Sequence, residues 1–155
     1  MPQGHSPIRI GLVGCGRGTR VHHLPALSRL PQFKVAAAAD TDTSRLRETT
    51  GRFSIQHSFT DYRELVEKAD VDAVAVATPP ESHAEIGLAV LRAGKHLFME
   101  KPLALNLEEC DQLIGEAGRS QCKALVALNS RWHRLVRRAR EMVRSGAIAM
   151  TRGPR

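Results

Sequence analysis

Short apolar runs alternate with longer amphipathic stretches along most of the chain, and that alternation predicts its elements. Ile8-Arg9-Ile10-Gly11-Leu12-Val13 reads as a buried strand. A turn at Gly14-Cys15-Gly16-Arg17-Gly18 follows, then a helix over about Thr19 to Leu30 that Pro31 ends. Phe33-Lys34-Val35-Ala36-Ala37-Ala38-Ala39 is a second strand, closed by Asp40. A helix from about Ser44 to Gly51 and a weak strand near Gln56 to Ser58 come next, and Asp61-Tyr62-Arg63 opens another helix; this stretch reads as scaffold. Val71 to Ala77 is an apolar run of the kind buried on both faces of a parallel sheet, and Thr78-Pro79-Pro80 forbids its continuation. Glu81-Ser82-His83 begins a helix that reaches Ala93 and stops at Gly94. Lys95 to Met99 is the next strand, ended by Glu100-Lys101-Pro102. Leu107 to Ala117 is helical, Ala124 to Leu128 is a strand, and Arg131 to Ser145 is a last helix stopped by Gly146.

Strand followed by helix, about six times over, predicts an α/β fold: a doubly wound parallel sheet in a three-layer α/β/α arrangement. Ligands of such sheets sit at the carboxyl ends of the strands. The residues just after each apolar run are therefore where chemistry is expected.

Composition narrows this picture. A chain of 155 residues with 42% apolar residues supports about one domain with a real core. No apolar run approaches the roughly 20 residues of a membrane span, and the first seven residues lack the pattern of a signal peptide, so a cytoplasmic location is expected. Cys15, Cys110 and Cys122 share no metal-ligand spacing and read as reduced thiols, with no metal site. The formal charge of +7 is confined to one segment: Lys plus Arg balance Asp plus Glu up to residue 130, and from Arg131 onward eight arginines face only Glu141. A basic helix without interleaved aromatics reads as a solvated face or as a surface that meets another part of the same protein. A nucleic-acid role would require binding that follows this segment and weakens steeply with salt.

The glycine turn carries the first candidate chemistry. Gly14 permits a turn too tight for a Cβ, and Gly16 lets backbone approach phosphate oxygens held by amide N–H groups at a helix N-terminus. The third glycine of a G-x-G-x-x-G pattern would fall at Thr19, while Gly18 stands one place early. Thr19 can cap the helix or offer its hydroxyl to phosphate, and Cys15 needs to present only its backbone. Asp40 lies 24 positions after Gly16, near the spacing at which such folds place a carboxylate on the adenosine ribose. Asp40 can equally cap the following helix, a task Asp42 or Thr43 can share. A carboxylate here repels a 2′-phosphate, which favours NAD over NADP, with Arg45 able to offset the repulsion.

Three groups of residues together carry a family resemblance: the glycine turn with His23-Leu24-Pro25-Ala26-Leu27, the segment Ala77-Thr78-Pro79-Pro80 with His83, and Gly94-Lys95-His96 leading to Glu100-Lys101-Pro102. From about Ile8 to Ile148 the chain resembles the N-terminal Rossmann domain of the glucose-fructose oxidoreductase, inositol dehydrogenase and MocA family of nicotinamide-dependent oxidoreductases. Asn129-Ser130-Arg131-Trp132 is similar to the segment that starts the family's link to a second domain. Gly146-Ala147-Ile148 is similar to the crossing point, with Ala149 where a glycine usually follows. The resemblance implies a dinucleotide-binding domain over 1–148 and a tail over 149–155 where a second, substrate-binding domain is expected; Met150 to Arg155 does not read as its first strand.

The resemblance further implies NAD as cofactor, with NADP open, and a hydride exchanged with a sugar- or polyol-type alcohol. Lys101 is placed as the catalytic residue beside the nicotinamide. Gly14, Cys15, Gly16, Arg17, Gly18, Thr19, Asp40, Thr78, Pro79, His83, Glu100 and Lys101 form the cofactor site. Pro102 aims Lys101, over a cis peptide as in the family. His83 either lines the nicotinamide pocket or sits in the first turn of its helix, and Asn129 and Arg131 are further candidates for the inner wall. Lacking the partner groups of a second domain, the chain by itself is expected to be inactive, and an exposed face around the last helix makes self-association an expected consequence. Two other readings stand beside this one: a cofactor-binding fragment without turnover, and an S-adenosylmethionine-dependent methyltransferase. The latter usually carries an acid where Val13 stands.

Overall fold

The computed structural model describes residues 6–148. Its six strands are β1 (Ile8–Val13), β2 (Phe33–Ala39), β3 (His57–Phe59), β4 (Ala73–Val76), β5 (His96–Met99) and β6 (Ala124–Val126). All pair in parallel, in the order β3-β2-β1-β4-β5-β6. The chain winds outward from β1 through β2 to β3, then crosses back to lay β4 on the other side of β1. Between β1 and β4 the winding direction reverses, and this opens a crevice at the carboxyl edge.

Successive residues of each strand face opposite layers, and along the inner strands β1, β2, β4 and β5 both layers are covered, which is why these strands read as unbroken apolar runs. Val13, Ala39, Val76 and Met99 face one core. It is filled by Leu65 and Val66 of α3 (Tyr62–Lys68), Ile86, Val90 and Leu91 of α4 (His83–Arg92) and Leu113 of α5 (Leu107–Ser120). Gly11 admits this layer closely, because a Cβ there would lie 2.8 Å from Leu65 Cδ2. Ile10, Leu12, Ala38 and Ala75 face the other core, against Leu24, Leu46 and Ile55. Its helices are α1 (Leu24–Leu27) and α2 (Thr43–Phe53). The expected doubly wound, three-layer α/β/α architecture is therefore present.

Several boundaries differ from the sequence reading for local reasons. The first helix does not run evenly from Thr19 to Leu30: Thr19–His23 is π-helical and α1 ends at Leu27. Pro25 lacks an N–H, and its ring would press on the carbonyl four residues back in an α-helix. Widening the turn, so that the Leu24 N–H reaches Thr19 O, relieves that contact. The last basic segment is not one helix either. Asn129–Trp132 forms a 3₁₀ turn, His133 is extended, and α6 (Arg134–Arg144) follows, so Arg131 lies outside the helix. On α6 the spacing gathers Leu135, Val136, Ala139, Met142 and Val143 on one side and the arginines on the other, and no residue of it is buried. Leu125, which faces the same layer as its register partner Phe98, is likewise exposed, so cover on that face stops short of β6. Residues 149–155, on which the expected tail falls, lie outside the described residues.

Candidate functional site

Strand register brings the site residues into one layer. Val13 pairs with Ala39 and with Val76, and Val76 pairs with Met99. Gly14, Asp40, Ala77 and Glu100 are thus the first residues beyond four neighbouring strands. Each is held by the strand beside it: Gly14 N–H donates to Ala39 O (2.8 Å), Ala77 N–H to Val13 O (2.8 Å) and Glu100 N–H to Val76 O (2.9 Å).

A groove of about 770 Å³ opens along this edge. Gly14 has φ +95° and lies so near the β4 end that a Cβ would stand 2.6 Å from Ala77 O, so only glycine fits. Gly16 and Gly18 differ: nothing lies within 4 Å of where their Cβ atoms would be, and both line the groove with Arg17. Side chains here would fill the space in which a ligand could touch the backbone.

Two residues of the turn have other duties than those expected. Cys15 is buried, and its N–H donates to Asp40 Oδ2 at 2.7 Å, so that donor faces the protein and not a ligand. Burial, then the charge of Asp40, pushes its thiol up to about 11. Thr19 is also buried, and its hydroxyl donates to Gly14 O at 2.7 Å. It neither caps the helix nor turns to the groove, and it braces the turn from inside. Asp40 lines the groove while Oδ1 accepts the Asp42 N–H at 2.8 Å, so the carboxylate ties β2 to both the glycine turn and the entry of α2. The capping itself falls to Asp42, which accepts the Arg45 N–H at 3.0 Å. Arg45 also pairs with Asp42 (2.9 Å) and stands 3.9 Å from Asp40, so the nearest cation is already shared between two carboxylates.

The far wall of the groove comes from the stretch read as scaffold. Thr60, Asp61, Tyr62 and Arg63 follow β3 and line the groove beyond Asp40. Arg63 lies over the Tyr62 ring, 4.6 Å from its centroid. The Tyr62 hydroxyl donates to Glu85 Oε1 at 2.7 Å, and Arg63 pairs with the same carboxylate. Burial, then that hydrogen bond, pushes the phenol up to about 12. The available signal was positional: these residues follow a strand end, as Asp40 does.

At the other end, Thr78 and Pro79 line the groove after β4, and the Ser82 hydroxyl lies 2.8 Å from Thr78 Oγ1 and 2.9 Å from Pro79 O. His83 does not line it. Its ring is fully buried, with Nδ1 2.6 Å from Pro102 O and Nε2 3.0 Å from Thr78 O. Apolar α4 drew the imidazole inward, where carbonyls receive it.

Beyond β5, Glu100 accepts the Lys101 N–H at 3.0 Å, and its Oε1 lies 2.9 Å from His23 Nε2. His23, which packs edge-on against Phe98, thus joins the π-helical turn to this loop, a role sequence reasoning did not assign. The Lys101–Pro102 peptide is cis, as the resemblance implied. Lys101 is exposed and Glu100 half-buried, and neither is part of the groove wall. Asn129 and Arg131 are exposed in the turn after β6, two strands from the crevice, and do not line it. Among the described residues no cluster of His, Cys, Asp and Glu could hold a metal ion, and no helix is long and apolar enough to cross a membrane.

Residues 8–128 match a family model described as an oxidoreductase family with an NAD-binding Rossmann fold. The chain is 33% identical over 141 residues to a myo-inositol 2-dehydrogenase of Thermotoga maritima, covering 91% of this chain and 42% of that protein. Among solved structures, the scyllo-inositol dehydrogenase of Lactobacillus casei with bound NAD(H) and scyllo-inositol superposes with a TM-score of 0.87 at 28% identity, over 93% of this chain and 43% of that one. A 3-ketoreductase of Actinomadura kijaniata in complex with TDP-benzene and NADP gives a TM-score of 0.86 at 33% identity, over 95% and 46%. The chain therefore spans less than half the length of each of these relatives.

Proposed function

The chain belongs to the oxidoreductase family with the NAD-binding Rossmann fold, and from that premise we propose that its groove holds a nicotinamide dinucleotide for hydride exchange with a sugar- or polyol-type alcohol. The observation that carries this reading is the pair Gly16 and Gly18. They line the groove at the point where strand order reverses, with open space where side chains would be. A backbone turn exposed at the start of a helix suits a pyrophosphate, whose oxygens accept amide N–H groups.

The two ends of the groove then follow. Asp40 Oδ1 and Oδ2 each retain a lone pair beyond the backbone donor they already hold, so the carboxylate can accept from the adenosine ribose. Its negative charge supports NAD, and Arg45, already shared between Asp40 and Asp42, is the group nearest to a 2′-phosphate. The nicotinamide end falls toward Thr78 and Pro79. When bound, the nicotinamide ring supplies the hydride chemistry. Lys101, exposed beyond the neighbouring strand, is the group of this chain suited to donate a hydrogen bond to the reacting oxygen and to stabilise negative charge developing there.

The dehydrogenase names of the relatives support the substrate class, and their greater length supports a second domain contributing to the whole protein's activity, with the dinucleotide domain ending near residue 148. A cytoplasmic place and self-association through the exposed face of α6 belong to the same reading, supported by three free thiols and by Leu135 and Val136 at the surface. The family match sets the methyltransferase alternative aside. Calorimetric titration of the folded chain with NAD and, separately, NADP is the test. One saturable site per chain, tighter for NAD, is expected; a folded chain that binds neither would overturn the assignment of the groove.

A further inference from the structure

We propose that His83 is a positioning residue that holds the Lys101-Pro102 turn against the end of β4 and thereby shapes the nicotinamide half of the groove; this rests on the dinucleotide reading above. The ring is fully buried at the start of α4, yet neither nitrogen meets an apolar group. Nδ1 faces Pro102 O at 2.6 Å and Nε2 faces Thr78 O at 3.0 Å. Among the described residues, no other group donates a hydrogen bond to the Pro102 carbonyl. A leucine would fill the same space without desolvating two polar atoms, so packing alone does not account for a histidine here.

Thr78 and Pro102, 5 residues before and 19 residues after His83, meet at its ring on the carboxyl edge: Thr78 leaves β4, Pro102 follows β5, and His83 opens the helix between them. Thr78 lines the groove, and Lys101 precedes Pro102 by one peptide. Both facing atoms are carbonyl oxygens, which only accept, so the ring bonds through a nitrogen that carries a proton, and the shorter contact assigns that proton to Nδ1, donated to Pro102 O. Through that bond the ring sets the height of the Lys101-Pro102 backbone over the crevice. A displacement of about 1 Å at such a point is enough to lose a productive contact.

Asparagine and glutamine separate this role from core filling. The Asn amide nitrogen falls near the place of Nδ1 and that of Gln near Nε2, so His83→Asn keeps a donor to Pro102 O and His83→Gln places its donor at Thr78 O instead. The 155-residue chain and both variants are titrated with NADH and with ADP-ribose, which lacks the nicotinamide. The wild type is expected to bind NADH more tightly than ADP-ribose. His83→Gln is expected to weaken NADH about tenfold with ADP-ribose changed by less than about twofold, and His83→Asn to recover NADH to within about threefold. Equal loss of NADH in both variants, or parallel loss of both ligands, would overturn the positioning role. So would a wild type that binds the two ligands equally, although the groove assignment would survive that result. A wild type that binds neither would overturn both. Imidazole nitrogen spectra of the wild type test the strut even if the variants fail to fold: an exchange-protected proton on Nδ1 is expected, and a bare Nδ1 would overturn it.

Discussion

The backbone N–H of Cys15 donates to Asp40 Oδ2 at 2.7 Å, across 25 residues of sequence and between the ends of adjacent strands. This one bond couples the residue that faces the adenosine end of the groove to the turn that faces its centre. Asp40 is therefore both a wall of the site and a support of it, and its side chain is only 7% exposed.

Replacing Asp40 consequently affects more than ribose recognition. Asp40→Ala leaves the Cys15 and Asp42 N–H groups without their acceptor, and a cost of about 1–3 kcal/mol is expected from the buried one. Asp40→Asn retains a single acceptor oxygen, so it should fall between. Chemical denaturation gives the stability, and titration should show both NAD and NADP weakened by the loosened turn, NAD more so. Unchanged stability in Asp40→Ala would mean that the bond to Cys15 holds nothing in place.

Acid should weaken one identifiable pair. The Arg9 guanidinium, then the Arg9 backbone N–H (2.7 Å), hold the Asp72 carboxyl below the usual carboxylate range. Because the folded value lies below the unfolded one, the unfolded chain takes up the proton first. The stabilisation is thus full above the ordinary value of about 4 and is lost as pH falls through the folded value. The stability difference between wild type and Asp72→Asn should be constant above about pH 5 and shrink below about pH 4. A difference that grows on acidification would contradict the pairing.

The three thiols should separate by reactivity. Cys15 is fully buried and its thiol is pushed up to about 11, whereas Cys110 and Cys122 are partly exposed. Only thiolates react with iodoacetamide at an appreciable rate. Peptide mapping after brief labelling at neutral pH should find Cys110 and Cys122 modified before Cys15. Early labelling of Cys15 would show that the turn opens readily.

Much of this was legible in the sequence because it depends on local pattern. Apolar runs bounded by Gly14, Asp40, Thr78-Pro79 and Glu100 marked the strand ends, and the parallel register then placed those ends side by side. What could not be read depends on contacts between distant segments. The ring of His83 meets Pro102, His23 meets Glu100, and Cys15 meets Asp40, none of which spacing reveals. Thr19 illustrates the same limit: its place in the glycine pattern is obvious, but only the folded turn shows its hydroxyl directed to Gly14 O. Tyr62 and Arg63 were passed over because the weak strand before them carries too few apolar residues to announce its end.

Two glycines of one turn should respond oppositely to the same added methyl group, and this separates folding from ligand binding. At Gly14 the new Cβ would lie 2.6 Å from Ala77 O, a backbone atom held in the sheet, and φ is +95°. Neither strain can relax without moving β4, so Gly14→Ala is expected to cost about 3 kcal/mol or more in stability. At Gly16 the methyl meets nothing within 4 Å and the backbone is not left-handed. Gly16→Ala should therefore keep its unfolding midpoint, while its methyl stands in the groove against whatever approaches the turn. If a pyrophosphate does so, NAD affinity should fall by about tenfold or more, since the amide contacts lengthen. Thermal unfolding and calorimetry of the two variants give both quantities. A Gly16→Ala chain that folds normally and binds NAD as tightly as wild type would place the pyrophosphate elsewhere on the edge.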